Sequence, residues 1–452
     1  MSNAAQPAEV TRTLARFVTA SQPSDVPGPT RHHATRTFVN WLGCAVGGAR
    51  HEAMDIAIAA LSPMAGPAQA TVLGRSERLD ILHAALLNGI SSHMFDFDDT
   101  HLKTIIHPAG PVCSAILALA EHRPVTGEQF IHALTLGVEV ECRIGNSVYP
   151  DHYDRGWHIT GTAGVFGAAA ACGRLLGLDE QRMTWALGIA ATQSSGLREM
   201  FGTMCKPFHP GNAARNGLMA ALLGAQGFTS SDRGIEAPRG FAHVMSTRFD
   251  PTQITSGLGE SWEIDINTYK PFACGIVIHP IIDACVQLRE AHGLTGEEIE
   301  SIEARVHPLV IELTGKKTPR TGLEGKFSVY HSAAVGIIHG AAGEREYSDS
   351  VVRDPKVVAL RDRVTATIDD SMHEDQTEVD IRLRDGRVLT CRVDNAIGSL
   401  ARPLSDADIE RKFRGLAQDI LPSAQIDRLV GLAWKVGELA RADEVARAAA
   451  AT

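Results

Sequence analysis

At 452 residues the chain exceeds what one ordinary core encloses, so two or three domains are expected. Apolar residues at 44% and charged residues at 21% sit near a soluble globular average, which excludes wholesale disorder. Its 43 basic and 53 acidic side chains give a net charge of −10, which argues against a polyanion-binding face and against nucleic acid as a partner.

Membrane insertion fares no better. The longest nearly apolar stretch, 163–172, is short of the roughly 20 residues of a span. The start, MSNAAQPAEVTR, has no basic region followed by an apolar one. The eight cysteines include no CxxC pair, so they read as small hydrophobes in a reducing cytoplasm rather than as a disulfide or zinc framework. Abundant glycine and sparse aromatics suggest small side chains packed between close helices.

In chain order, residues 9–20 and 32–46 have helical apolar spacing and are separated by a Pro/Gly/Ser stretch. Thr126 and Gln129 form a capping box ahead of an apolar helix over 130–148. Residues 163–178 read as a further helix, dense in Ala and Gly. Its glycines at 161, 164 and 167 lack a preceding strand, which favours close helix packing over a phosphate-binding loop.

The texture changes near Lys270. Thr295 and Glu298 read as a second capping box, and 302–313 shows strand-like alternation. Residues 378–383 and 387–393 alternate around Asp385-Gly386, a hairpin signal, and 331–339 reads as helix between these strands. Helices resume over 406–417 and 425–450. The expected fold is mainly α with a smaller α+β domain: 1–268 a large helical domain, 269–400 a small α+β domain, and 401–452 helices returning to the first.

Four segments combine ionisable residues with Gly or Pro: 93–101 with 107–110, 156–162, 202–211, and 269–275 with 279–280. The acidic run Asp96, Asp98 and Asp99 admits three readings: a divalent-cation cluster, helix caps or orienting groups, or a metal-free catalytic carboxylate. The spacing is not diagnostic for a cation, and no second acidic cluster completes a shell, so the metal-free reading leads. His107 and His158 sit in turns at helix starts, where imidazole suits acid–base work. Lys206 and Lys270 share the context Lys-Pro-Phe in apolar turns. An ammonium there requires an anionic partner, either a ligand carboxylate or an Asp of the first segment. Lys316, Lys317 and Arg320 read as solvated surface.

Together DFDDTH (96–101), HPAG (107–110), GWHITGT (156–162), GTMCKPFHPGNAARNG (202–217), YKPFACG (269–275) and KFS (326–328) resemble the MmgE/PrpD family. The resemblance implies a homodimer with a cofactor-free site in a cleft between a helical and a smaller α/β domain. It implies enzymes that dehydrate, decarboxylate or epimerise small di- or tricarboxylates. Asp96, His107, His158, Lys206 and Lys270 fall on its catalytic positions, with Asp96 expected to hold an imidazole tautomer. Thr100, Thr203, His209, Tyr330 and His331 make the expected substrate contacts. The family tyrosine three residues past the KFS serine is displaced here, with Tyr330 one position early and His331 in its place. A dehydratase is expected first, then an epimerase, then a decarboxylase. A non-catalytic helical scaffold is the competing class.

Overall fold

Small side chains decide how the first unit packs. In the computed structural model, which describes residues 9–451, this unit comprises residues 9–94, 98–267 and 406–451. Residues 1–8, which carry much of the leader-sequence reading, lie outside the described residues. The Ile159–Leu176 helix is its central element, packed by Gly127–Val148, Ala109–His122 and Cys205–Ala225. That helix is long and apolar enough to cross a membrane, but 83% of it is buried inside the protein, as in a core helix.

The glycines at 161, 164 and 167 serve close approach. A Cβ on Gly161 would lie 2.4 Å from the Ser195 carbonyl oxygen, one on Gly164 2.4 Å from Pro111, and one on Gly167 2.6 Å from the Glu141 carboxyl. No side chain fits there, and the phosphate-loop reading has no place. Gly43 and Gly47 do the same for the helix Asp406–Ala417, meeting Phe413 and Leu416 at 3.0 Å each. The capping box at Thr126–Gln129 forms, with Gln129 N–H donating to the Thr126 hydroxyl at 3.2 Å and Thr126 N–H to the Gln129 side chain at 3.0 Å.

The second unit comprises residues 95–97 and 268–405, so the tripeptide Phe95–Phe97 groups with residues far along the chain. Its sheet runs Val364–Ile368, Ile299–Val306, Thr377–Leu383, Val388–Val393 in spatial order. The first pair is parallel and the others antiparallel. Asp385-Gly386 makes the expected hairpin, with Gly386 at φ +91° and Leu383 N–H donating to the Arg387 carbonyl at 2.8 Å. Ile302, Ala304, Val306, Val379, Ile381 and Leu383 fill one buried face. The His279–His292 helix packs on the last two strands, and the Val329–His339 helix packs on that helix.

Three local expectations need correction, and one strand lies outside them. The strand reading over 302–313 ends at Val306, because Pro308 opens a helix, Pro308–Thr314, capped by the His307 ring. Thr295–Glu298 closes a turn into that strand rather than starting a helix: Thr295 N–H donates to the Glu298 carboxylate at 2.7 Å. The helix read over 425–450 is broken, with Ser423–Trp434 and Asp443–Ala448 separated by a short 3₁₀ turn. The strand Val364–Ile368 had no place in the sequence reading: only Val364 of its five residues is buried, so it carries little alternation.

Candidate active site

Four imidazoles converge in the helical unit. The Ile81–His93 helix ends in His93, and the Ile159–Leu176 helix begins at its N-cap His158. His107 precedes the Ala109–His122 helix, and His209 lies in the first turn and a half of Cys205–Ala225. Ring centroids are 4.7 Å apart for His93–His107, 5.9 Å for His93–His158, 6.3 Å for His107–His158 and 5.0 Å for His158–His209. All four rings are buried. Gly196, at φ +134°, allows its loop to lie against them: a Cβ there would come within 3.2 Å of the His209 ring.

Hydrogen bonds fix two tautomers. His107 Nδ1–H donates to the Asp99 carbonyl at 2.7 Å, with the Thr100 hydroxyl 3.3 Å from the same nitrogen, and His93 Nδ1–H donates to Asp98 Oδ2 at 2.7 Å. In each ring the proton on Nδ1 makes Nε2 the basic nitrogen of the neutral form. His158 and His209 face each other through Nδ1 at 2.8 Å, so one donates to the other. Burial, reinforced by Lys206, His209, His93 and His107, holds the His158 pKa well below the usual imidazole value. Burial, His93 and Lys206 bring His209 down to about 4. His158 and His209 are thereby held as neutral bases.

Lys206 is buried at the start of its helix, with its ammonium 5.2 Å from the Phe201 ring centroid. Thr203 has a local role: its hydroxyl donates to the Met200 carbonyl at 2.7 Å and accepts from Cys205 N–H at 3.2 Å. The acidic run divides its work. Asp99 accepts from Ala109 N–H at 3.1 Å, at the head of the next helix, and from Asn267 Nδ2 at 2.7 Å. Burial and the Asp98 charge raise the Asp99 carboxyl to about 7. His101 is tied to Glu263 at 2.8 Å and to Thr104 at 2.7 Å, as part of the framework.

In the second unit Lys270 Nζ donates to Asp96 Oδ1 at 2.7 Å and to the Asp96 carbonyl at 3.0 Å, with both residues buried. The anionic partner expected for a lysine in an apolar turn is therefore an Asp of the first segment. The role expected for Asp96 changes accordingly: the carboxylate that grips an imidazole is Asp98, on His93, while Asp96 grips a lysine. Ser328 caps the Val329–His339 helix by accepting from His331 N–H at 3.1 Å. The His331 Nε2–H donates to the Glu346 carbonyl at 3.0 Å, and burial lowers its pKa to about 4, so the ring is engaged with its own fold. Tyr330 is buried, with the Lys317 ammonium 5.6 Å from its ring centroid.

Sequence reasoning assigned no role to His93 or Lys326, and named Asp98 only as one of three aspartates that could cap a helix, orient a histidine, hold a cation or act as a carboxylate. The five-residue step from His93 to Asp98 was the available signal. Among the described residues, His93, His107 and His158 also offer ring nitrogens within 4.8 Å of one another, a donor set a divalent cation could use.

Comparison with known proteins identifies the family. Residues 12–254 match the MmgE/PrpD N-terminal domain and 272–435 the MmgE/PrpD C-terminal domain. The chain is 27% identical to cis-aconitate decarboxylase of Homo sapiens, over 89% of this chain and 87% of that protein. It is 26% identical to cis-aconitate decarboxylase of Aspergillus terreus, over 94% and 92%. Identity to 2-methylcitrate dehydratase of Escherichia coli (strain K12) is 23%, over 78% and 76%. Two domain matches that together span most of the chain, carrying the motifs whose side chains build this cluster, establish that the protein belongs to the MmgE/PrpD family.

Proposed function

We propose that the protein is a lyase acting on a small tricarboxylate at a carbon beside a carboxylate, with cis-aconitate the first candidate substrate. The observation that carries this reading is the cluster of buried imidazoles beside Lys206, with His158 and His209 held neutral. A polycarboxylate brings negative charge to rings whose pKa values burial and cations have lowered, so binding itself raises their proton affinity. His158 and His107 then exchange protons with the reacting carbon or leaving group, with the Asp99 carbonyl fixing the His107 tautomer and His209 hydrogen-bonded to His158. Lys206 is assigned to the carboxylate on which charge develops, where a fixed cation is worth most, and Lys270, by its place in the family motif, to a substrate carboxylate.

Decarboxylation and dehydration differ in what leaves. In the first, the bond to one carboxylate breaks, CO₂ departs and the electron pair left on carbon takes a proton. In the second, a base removes a C–H proton and an acid protonates the departing hydroxyl. The residues alone place dehydration first; the higher identity and coverage of the decarboxylases favour the other order, and we adopt it.

Incubation in D₂O followed by NMR tests this. From cis-aconitate, CO₂ release with deuterium entering the product supports the decarboxylase. Water loss from a hydroxytricarboxylate, with no CO₂ from cis-aconitate, moves the assignment to dehydratase. Inverted, deuterated substrate without either product moves it to epimerase. Neither turnover nor thermal stabilisation by any tricarboxylate rejects the reading in favour of a scaffold; a ligand at about 100 times its Kd should stabilise by roughly 2.7 kcal/mol.

A further inference from the structure

The KFS motif contributes to the family likeness, but its lysine plays no part in the chemistry above. Its surroundings are unusual for a lysine. The Lys326 side chain is 2% exposed, and Nζ donates to the Phe95 carbonyl at 2.7 Å, the Ala273 carbonyl at 2.8 Å and Glu344 Oε2 at 2.5 Å. An ammonium has three N–H donors. All three are spent on the protein, so Lys326 has none to offer a substrate.

Its two carbonyl partners are informative. Phe95 immediately precedes Asp96, and Ala273 lies three residues after Lys270. One buried cation thus ties together the two backbone segments from which the Lys270–Asp96 pair is built. Asp96 is one of two non-glycine residues with positive φ among those described, at +52°. That conformation persists in a residue with a Cβ only where the surroundings over-determine it. In this turn the Asp96 carbonyl and Oδ1 both accept from the Lys270 ammonium, which fixes the direction of two of its three N–H bonds.

We propose that Lys326 is a positioning residue. By clamping Phe95 and Ala273 it holds Asp96 in its left-handed turn and aims the Lys270 ammonium. The proposal rests on the assignment of Lys270 to a substrate carboxylate.

The test uses full-length Lys326→Met, Lys270→Met and the double variant, with two readouts: turnover of cis-aconitate, and acetylation of each lysine in the folded proteins followed by mass spectrometry. Lys326→Met is expected to lower kcat by about 10²-fold, the scale for losing one aimed cation. Added to Lys270→Met, it should cost less than about threefold more, because both act through one group. Lys270 should acetylate about tenfold faster or more in Lys326→Met, as a locally released side chain does, while Lys206 keeps its wild-type rate.

A full second loss on the Lys270→Met background, unchanged Lys270 labelling, or equal acceleration at Lys206 would each overturn the proposal and leave Lys326 a general brace. If the wild-type protein turns over no cis-aconitate, the substrate assignment falls by itself, and the labelling still decides the positioning claim. Should Lys326→Met fail to fold, Lys326→Arg carries the same measurements. Its planar fork keeps the charge but does not reproduce three diverging bonds, so wild-type turnover and labelling in that variant would overturn the proposal.

Discussion

His158 and His209 in the helical unit and the enclosed lysines of the second unit are buried ionisable groups kept in opposite states. In the helical unit, desolvation and a neighbouring lysine hold imidazoles neutral, with His158 well below its usual pKa and His209 at about 4. In the second unit each enclosed lysine is matched by a carboxylate, Lys270 by Asp96 and Lys326 by Glu344. The contrast is chemical. A proton carrier needs a pKa that an arriving anion can move, whereas a charge stabiliser needs a charge that does not move. Burial without a counter-ion supplies the first, and burial with one supplies the second.

The sharpest way to break the contrast is to remove a proton carrier. His158→Ala should lower kcat by about 10²–10⁴-fold with the fold intact by circular dichroism, the range for a general acid–base group. A loss below tenfold would transfer that role to His107 or His93. Next come the cations: Lys270→Met and Lys206→Met should each lower kcat by about 10²-fold. If only one of them does, the other belongs to the framework.

A pH profile sharpens the comparison. The base must be deprotonated to act, and a lowered pKa keeps it so in more acid solution, so kcat/KM should hold its plateau down through pH 6.5 and fall only well below it. An acid limb centred near 6.5 would mean that His158 is not the base. Chelator treatment is expected to leave turnover unchanged. Loss in chelator, restored by Zn²⁺ or Fe²⁺, would convert His93, His107 and His158 from proton carriers to ligands. The smallest effect is expected at the surface: Lys316 pairs with Glu324 at 3.0 Å in the open, so Lys316→Ala should leave kcat within about twofold and shift stability by less than about 1 kcal/mol.

Much of this was legible in the sequence because the signals were local. The Thr126–Gln129 box, the Asp385-Gly386 hairpin and the helix starts beside His107 and His158 depend on residues a few positions apart. The pairing of Lys270 with an Asp of the first motif was also within reach, since an apolar turn does not tolerate a lone ammonium. What escaped were relations between distant segments. Nothing within DFDDTH says that Asp96 turns to a lysine 174 positions away while Asp98 turns back to His93. Lys326 was passed over because its three partners lie 18 to 231 positions away. Val364–Ile368 was missed for the same kind of reason: a sparsely buried edge strand is defined by its neighbour, Ile299–Val306, more than by its own pattern.

The glycine line of the Ile159–Leu176 helix has a consequence for anyone scanning this protein for function. That helix carries His158 at its head, and it is a stiff rod whose seat is set by three positions without side chains. Gly167 is nine residues from His158, about 14 Å along the axis at 1.5 Å per residue. A methyl group there would meet the Gly137 carbonyl of the neighbouring helix at 2.8 Å as well as the Glu141 carboxyl, so the rod must shift, and a single carbon atom about 14 Å from His158 is expected to register in an assay as a catalytic defect. In a mutational map such glycines will look like active-site residues, and a measurement of side-chain packing, not of turnover, will tell them apart.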